Sequence, residues 1–534
     1  VASRIESLAE PGSIMISEKV FDEIKNQPPL TARSLGEVEL KNVKRPMEVF
    51  ALINEGLVIP TPKQIKSKTG MSYKSIAVLP FVNMSADPEN EYFSDGISEE
   101  ILNALTKIEG LNVTSRTSSF AFKGKREDIR EIGTKLNVTI LLEGSVRKAG
   151  NKVRITTQLI NTTDGYHIWS EVYDRKLEDI FEVQDEISRN IANKLREKLT
   201  AADINSPFVK SHTNNIEAYN TYLKGNFYFN KWTPADARKA AGLYEEAIGK
   251  DPNFAQAHSG LANCYIFLGF LGQLTPKKAY PKAKESVLKA LELDENLAES
   301  HLSLAMVKFF FDWDWEGAPA SFKHALALKP SFADAHHYYG YYLCAIGKFD
   351  ESITEIEKAH SLDPLSLPIN NSVGYTHFAA KRYDEAIVQF EKTLELDPSF
   401  RSALENKGWA HVGKGEIDKA IEIFEEVQRQ TGHPLKGVAP LGYSYAKVGQ
   451  MENAKECLKK LKERDRTEKD VSLSIDFAML YTGLKDFDSA FYHLEKAVDE
   501  RLGAAVFLRH RPHWDELRSD PRFKELVRKV GLVD

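Results

Sequence analysis

A period of about 34 residues, the length of a helix-pair repeat, runs through the second half of the chain and constrains its fold more than any other feature. Four glycines recur at this constant step, and an aromatic residue follows each of them. These pairs are Gly340 with Tyr341, Gly374 with Tyr375, Gly408 with Trp409, and Gly442 with Tyr443. A fixed period of this length indicates a repeated supersecondary unit, and one such unit is too small to bury its own apolar face. We therefore expect stacked units that share one continuous core.

The repeated pattern resembles the tetratricopeptide repeat, a pair of antiparallel helices in a unit of about 34 residues. Small residues keep the same step where two helices must touch, at Ser352, Ala386, Ala420 and Ala454. The resemblance covers about residues 215–500, or seven to eight units, and implies an all-α superhelix with a concave groove for a protein or peptide ligand. Residues 501–534 predict a capping helix over the last unit.

Aromatic residues are concentrated in the repeats, and two interpretations of them stay open. They line either a peptide groove or the helix core, and the core is favoured because repeat helices need large apolar side chains to fill it. The residues are Tyr222, Tyr228, Phe229, Tyr338, Tyr339, Tyr341 and Tyr342.

Residues 74–200 alternate short apolar runs with helical patterns, which is typical of an α/β domain. The run SIAVLPF predicts a buried strand, GISEEILNALTKI a helix, and residues 139–175 three strands joined by turns. Together with LLEGSVRKAGNKVRITTQLI and IWSEVYDR, these stretches resemble the TolB N-terminal-like domain. That family brings no catalytic residues, so the resemblance implies a spacer or interaction role. Residues 55–73 and 201–214 predict linkers on either side.

Residues 1–54 are too short for a complete domain, and their pattern predicts a helix, a strand, a second helix and a hairpin. The stretches VASRIESLAEPGSIMIS and LKNVKRPMEVF closely resemble the C-terminal third of the catalytic domain of class III adenylate and guanylate cyclases. The resemblance implies an α+β remnant of that domain. The predicted fold class is therefore multidomain, with the cyclase remnant, an α/β TolB-like domain and an all-α superhelix.

Arg4 is the candidate catalytic residue that this resemblance implies. In class III cyclases an Asn and an Arg stabilise the transition state in which the ribose 3′-hydroxyl attacks the α-phosphate of the nucleotide. Arg4 falls at the arginine position, where a guanidinium meets the growing phosphoryl charge. The asparagine position lies one residue before Val1, and the metal-binding aspartates lie further upstream. We therefore expect Mg²⁺ or Mn²⁺ only in the intact protein, and no activity from this chain alone. A solvated surface role for Arg4 is the alternative.

The amino-acid composition limits the classes of binding partner and the cellular compartment that we expect. Lys and Arg number 71 against 77 Asp and Glu, so a net charge of −6 offers no field for a nucleic acid, and we expect none as a partner. Three cysteines without a CxxC pair argue against disulfides and zinc modules, and this usage favours a reducing cytoplasmic location. Without an apolar run of membrane-spanning length we expect no membrane span.

Two functional hypotheses follow. In the first, the intact protein is a bacterial class III adenylate cyclase that makes cyclic AMP and pyrophosphate from ATP, with guanylate cyclase as the alternative activity. It works as a homodimer, and this chain is its regulatory C-terminal part, with a protein partner bound to the repeats. In the second, the cyclase remnant is vestigial and the protein is a tetratricopeptide-repeat adaptor or scaffold.

Overall fold

The computed structural model describes residues 5, 9, 12–25, 30–38, 47–54, 56–59, 75–108, 110–196, 213–468 and 471–532. The chain divides into two units, Val1–Lys74 and Ser75–Asp534. Most of the predicted linkers 55–73 and 201–214 lies outside the described residues.

The described part of the first unit contains a three-stranded antiparallel sheet and the second of the two predicted helices, whereas the first predicted helix lies almost entirely outside the described residues. Strands β1 (Met15–Ser17), β2 (Ala32–Val38) and β3 (Met47–Leu52) lie in the order β1-β3-β2. Helix α1 (Glu18–Ile24) begins after Ser17, whose hydroxyl accepts a hydrogen bond from the amide of Val20 at 3.4 Å. Phe21 of the helix stacks on Phe50 of β3, with ring centroids 4.0 Å apart, and so joins the two elements.

The second unit begins with an α/β domain built on a six-stranded sheet. Its strands are β4 (Ser75–Val78), β5 (Val82–Asn83), β6 (Asn112–Val113), β7 (Ile140–Ala149), β8 (Lys152–Asn161) and β9 (His167–Lys176). The order is β6-β4-β7-β8-β9, and β5 also pairs with β7. Strands β4, β5, β6 and β7 pair in parallel, whereas β7, β8 and β9 form the antiparallel meander that the sequence predicts. The helices are α2 (Glu91–Leu105), α3 (Arg116–Phe120), α4 (Ile129–Lys135) and α5 (Ile180–Arg196).

Helix α2 begins earlier than the sequence pattern places it, since the pattern starts at Gly96. Pro88–Asn90 form a 3₁₀ turn that leads directly into the helix at Glu91. Phe93 is fully buried, so this first turn of the helix is held on the domain core. The apolar stripe of the sequence begins at Ile97 and gives no signal for this first turn.

The remainder of the second unit is helical and contains eight helix pairs in the described residues 213–468 and 471–532. The pairs are α6 (Ile216–Phe229) with α7 (Pro234–Lys250), α8 (Ala255–Phe270) with α9 (Pro276–Leu293), α10 (Ala298–Val307) with α11 (Gly317–Leu328), α12 (Ala333–Ala345) with α13 (Phe349–Leu362), α14 (Leu367–Ala379) with α15 (Tyr383–Leu396), α16 (Arg401–Lys414) with α17 (Ile417–Gln430), α18 (Val438–Lys447) with α19 (Met451–Thr467), and α20 (Ser474–Gly483) with α21 (Phe487–Asp499). Helix α10 continues as a π-helical turn over Lys308–Asp312.

The small residues of the repeat period lie where the helices of a pair touch. Gly374 and Gly408 each face the ring of a phenylalanine on the second helix of their pair, Phe390 and Phe424. A Cβ added at either glycine would lie 2.5 Å from that ring. The glycines therefore let large rings fill the space between paired helices.

The α/β domain packs on the turns between helix pairs, and Asp363 is the centre of this junction. The side chain of Ser115 makes no capping bond to the first turn of helix α3. Instead the carboxylate of Asp363 accepts hydrogen bonds from the amide of Ser118, at 3.0 Å, and from its hydroxyl. The Ser118 hydroxyl in turn accepts from the amide of Leu365 at 2.8 Å. A residue of the repeats thus supplies the helix cap that the domain lacks.

Two further contacts extend the junction along the repeats. Lys329 donates to the side-chain oxygen of Asn103 at 2.9 Å and pairs with Glu299 at 3.0 Å. Gln184 of helix α5 donates to the hydroxyl of Tyr219 in the first helix pair at 3.1 Å. The domain and the repeats therefore share buried polar contacts within one unit.

The C-terminal segment, residues 501–532, is more than the capping helix expected from the sequence. Helix α22 (Pro521–Val530) does contact the last helix pair, where Arg522 pairs with Asp488 at 2.8 Å. Before it, Gly503–His510 and Pro512–Trp514 are 3₁₀ helices that run back across the repeats. Their apolar side chains are buried there, with Val506 fully buried and Trp514 only 2% exposed.

Candidate functional site

The candidate site is the face of the repeats that carries the aromatic residue of each repeat unit. These residues, here called the aromatic column, are Tyr341, Tyr375, Trp409 and Tyr443 on helices α12, α14, α16 and α18. Each follows a glycine of the repeat period, which faces the other helix of the pair or a neighbouring helix. Two of the consecutive pairs are close, with ring centroids 5.8 Å apart between Tyr341 and Tyr375 and 5.5 Å apart between Trp409 and Tyr443. The period therefore builds a surface of two aromatic ring pairs on neighbouring units.

Two ring residues of the C-terminal segment cover this surface. The ring centroid of Phe507 lies 5.8 Å from that of Tyr341 and 5.6 Å from that of Tyr375, and the ring is edge-on to both. The imidazole of His513 lies 4.5 Å from Trp409. Edge-on and tilted contacts at these distances are the favourable geometries for aromatic pairs.

An arginine lies between the two ring contacts. The guanidinium carbon of Arg511 is 4.9 Å from the ring centroid of Tyr375, within cation–π range. Phe507 and Arg511 therefore both contact Tyr375, and His513 continues the contact to the next unit. The aromatic column binds side chains of alternating aromatic and basic character.

Polar contacts fasten both ends of the segment to the repeats. Arg501 donates to the carbonyl oxygen of Phe311 at 3.0 Å and stacks on Trp313, with 3.7 Å from its guanidinium carbon to the ring centroid. At the other end the indole nitrogen of Trp315 donates to the carbonyl oxygen of Val530 at 2.7 Å. Both ends of the segment thus reach the turn of the third helix pair.

Burial shapes the charge state of the two histidines in the segment. His510 contacts the carbonyl oxygen of Ala345 through Nε2 at 3.0 Å, and burial lowers the pKa of His510 to about 4. His513 is 3% exposed, and burial followed by the nearby charges of Arg511 and Arg518 holds its pKa well below the usual range. Both side chains are therefore neutral at pH 7 in the docked segment.

Two buried polar atoms at this contact have no hydrogen-bond partner among the described residues. They are the indole nitrogen of Trp313 and Nδ1 of His513. A buried polar atom that has lost its bond to water and gained no other weakens the contact it belongs to. The docked segment therefore leaves one polar atom of the repeats and one of its own without a hydrogen bond.

The predicted site residue Arg4 lies outside the described residues. No group of three or more His, Cys, Asp or Glu side chains that could hold a metal ion occurs in the described ranges. Within the same ranges, no helix has the length and apolar character needed to cross a membrane.

The aromatic residues singled out in the sequence separate into two groups. Tyr341 belongs to the aromatic column, whereas Tyr339 and Tyr342 pack with Phe322 in the helix core. Tyr222 packs against Tyr244 between the first helices. The core interpretation is therefore confirmed for Tyr222, Tyr339 and Tyr342, and a peptide-groove role for Tyr341 stays a prediction.

Sequence reasoning missed the residues that cover the column, namely Phe507, Arg511, His513 and Trp514. The available signal was a short apolar run, AAVFL at 504–508, followed by a tryptophan, in a stretch without helical periodicity. Such a run indicates burial but not the surface on which it is buried.

Comparison with known families agrees with the repeat geometry. Two tetratricopeptide-repeat models match residues 374–433 and 441–468. The repeats are tetratricopeptide repeats. The model of the second domain of HilA/YgeH-like transcriptional regulators matches residues 72–190. The region that resembles the TolB N-terminal-like domain is thus similar to the second domain of these regulators.

Two curated relatives match much of the chain. It is 37% identical over 315 residues to the protein named “Putative adenylate cyclase 3” of Rhizobium meliloti, in a match that covers 57% of this chain and 52% of that protein. It is 25% identical over 313 residues to the transcriptional regulator HilA of Salmonella typhimurium, with 58% and 54% covered. The chain spans about half the length of these relatives.

Among solved structures, the crystal structure of the type IV pilus biogenesis factor PilW matches 39% of this chain and 96% of its own, at 21% identity and a TM-score of 0.33. YrrB, a TPR protein with an unusual peptide-binding site, matches 36% and 95%, at 20% identity and a TM-score of 0.27.

Proposed function

We propose that this chain is the regulatory C-terminal part of a class III adenylate cyclase and that its repeats bind a protein partner. The intact enzyme converts ATP to cyclic AMP. The ribose 3′-oxygen attacks the α-phosphorus, pyrophosphate leaves, and the hydroxyl proton passes to base or water. Arg4 stabilises the charge on the transferring phosphoryl group. Aspartates upstream of this chain would hold Mg²⁺ or Mn²⁺, which would neutralise phosphate charge.

The match to the relative named as an adenylate cyclase carries this proposal. That match covers 57% of the chain, whereas the first unit ends at Lys74. Most of the similarity therefore lies in the α/β domain and the repeats. The resemblance of residues 1–54 to class III cyclases supports the same assignment from a different part of the chain.

A regulatory role for the second unit is supported by the variety of its relatives. The α/β domain is similar to the second domain of transcriptional regulators, and a comparable share of the chain matches the regulator HilA. A unit that is similar both to part of a protein named as a cyclase and to part of a transcriptional regulator is suited to recognition and control rather than to catalysis of one reaction. The same observation favours the second candidate function, an adaptor without catalysis.

Two assays separate the candidates. The chain described here with ATP and Mn²⁺ should form no cyclic AMP, since it lacks the metal-binding aspartates, and measurable turnover would refute that account. The protein extended upstream through its coding sequence should form cyclic AMP. In it, Arg4→Ala should lower kcat by about 100-fold or more while KM changes little, because the contact forms in the transition state.

The matched control is Arg33→Ala, which removes an exposed arginine from strand β2 of the same unit. It should leave kcat within about twofold, as expected for a solvated surface charge. An extended protein that binds ATP but never forms cyclic AMP would favour the adaptor.

A further inference from the structure

The C-terminal segment occupies the repeats as a peptide ligand would. It reaches the aromatic column through separate side chains, Phe507, Arg511 and His513, and Trp514 is buried beside them. Large aromatic rings and arginine are the side chains that dominate binding energy at protein interfaces. The contact therefore has the composition of an interface although both sides belong to one chain.

The segment is held to the rest of the protein by a short backbone connection. Arg501, directly after the last repeat helix and Glu500, has a φ of 59°, a conformation that ends the helix and turns the chain back. Residues 503–514 then form 3₁₀ turns, whose hydrogen-bond geometry is poorer than that of an α-helix. Displacing this stretch from the column would break mainly side-chain contacts and no strand or long helix.

Two features make the docked state replaceable. The indole nitrogen of Trp313, on the repeat side of this contact, has no hydrogen-bond partner in the described structure, and a ligand that supplies an acceptor for it gains a hydrogen bond that the segment does not make. The ion pair of Arg522 with Asp488 is exposed, since Asp488 is 94% exposed, and such pairs hold a helix only weakly.

We propose that residues 503–514 are an internal ligand of the repeats, and that the protein partner displaces them with a segment of the same chemistry. That chemistry is an aromatic residue, an arginine four positions later and a second ring residue two positions after that, as in Phe507, Arg511 and His513. This inference rests on the proposed role of the repeats in partner binding and names the class of partner. It does not depend on cyclase activity.

The test uses the full chain with a protease site inserted between Glu500 and Arg501. After cleavage the segment is no longer tethered, and a fluorescent peptide of residues 501–534 should exchange into the repeats. Before cleavage the tethered copy is present at an effective concentration on the order of millimolar, so the peptide should bind roughly tenfold or more weakly. Fluorescence anisotropy measures both affinities, and circular dichroism shows that the repeats stay folded.

Two peptides test the proposed chemistry. One keeps Phe507, Arg511, His513 and Trp514 and replaces the other residues between Phe507 and Trp514 with alanine, and it should still compete. The matched control carries Phe507→Ala and His513→Ala in the natural sequence and should lose at least tenfold in affinity. Equal competition by both peptides would refute the anchor assignment.

Three other outcomes would overturn the proposal. In the first, the cut chain would unfold, which would make the segment a part of the core. In the second, the cut chain would keep its own segment in the presence of excess peptide. In the third, light scattering would show that the cut or uncut chain exchanges segments between two copies, which would make a second copy the occupant. A protein that passes the peptide test but forms no cyclic AMP leaves this inference standing and fails only the proposed function.

Discussion

Replacing Asp363 with alanine should weaken the contact between the α/β domain and the repeats. The loss of stability should be larger than the loss of a local turn cap would cause. Asp363 is 1% exposed and Ser118 fully buried, so water has little access to the groups that the carboxylate leaves behind. The Ser118 amide loses an acceptor at 3.0 Å and its hydroxyl loses a second bond to a charged group. A buried donor left without a partner costs about 1–3 kcal/mol, and hydrogen bonds to charged groups contribute about 1.5–3 kcal/mol.

Desolvation offsets part of this loss. Burial raises the pKa of Asp363, which shows that the carboxylate is less well solvated there than in water. We therefore expect Asp363→Ala to lower the free energy of unfolding by about 2–4 kcal/mol. Loss of about 2 kcal/mol at the junction corresponds to about 30-fold faster hydrogen exchange of the Ser118 amide.

The repeat supplies a matched control at Asp397, which lies one repeat period further on and also precedes a proline. Its carboxylate accepts only local bonds, from the amide of Ser399 at 2.9 Å and its hydroxyl at 2.7 Å. Asp397→Ala should therefore cost no more than a lost turn cap, about 0.5–1 kcal/mol. Urea denaturation and hydrogen exchange by mass spectrometry compare the two variants. Equal destabilisation, or unchanged exchange at Ser118 in Asp363→Ala, would refute the trans-domain cap.

Three further predictions concern the repeats and the C-terminal segment. His510 has a pKa of about 4 when docked and about 6.5 when unfolded, so the unfolded state binds more protons between these values and stability falls as the pH is lowered. At about pH 5.5 the free energy of unfolding is lower by about 1.4 kcal/mol than at neutral pH. His510→Gln should remove that share of the pH dependence measured by urea titration. An unchanged pH profile would contradict the burial of neutral His510. Gly408→Ala should destabilise by about 1–2 kcal/mol because its Cβ would lie 2.5 Å from the Phe424 ring. Gly242→Ala, in helix α7 with nothing within 4 Å, should instead stabilise by about 0.5–1 kcal/mol, and the same sign for both would refute the packing argument. The three cysteines are buried, with the pKa of Cys344 raised to about 12 and that of Cys457 to about 11, so alkylation at about pH 8 should label none in the native protein and all three in urea.

The helix pairs were predictable because their information is local and repeated. Gly374 and Gly408 repeat one steric requirement, close approach to a ring on the paired helix, and the phase of that requirement is visible in one dimension. The strands β7, β8 and β9 were predictable for a similar reason, since alternation and turn residues lie within a few positions of each other. The first turn of α2 was not, because Phe93 is buried by the folded domain and not by any local pattern.

Equivalent positions of the repeat acquire different roles when the chain is folded. Asp363 and Asp397 hold the same place in the period, yet one caps a helix of the α/β domain and the other closes a local turn. Tyr341 and Tyr342 are adjacent, yet the first meets Phe507 and the second packs in the helix core. A repeating sequence cannot distinguish such positions, because the difference lies in what packs against them.

The amino-acid sequence alone therefore establishes the stacked helix pairs and the aromatic column, since both follow from spacing along the chain. The occupation of that column by Phe507, Arg511 and His513 is decided by tertiary structure. The physical reason is that apolar burial has no direction: the segment must leave water, and only the folded array presents the surface that receives it.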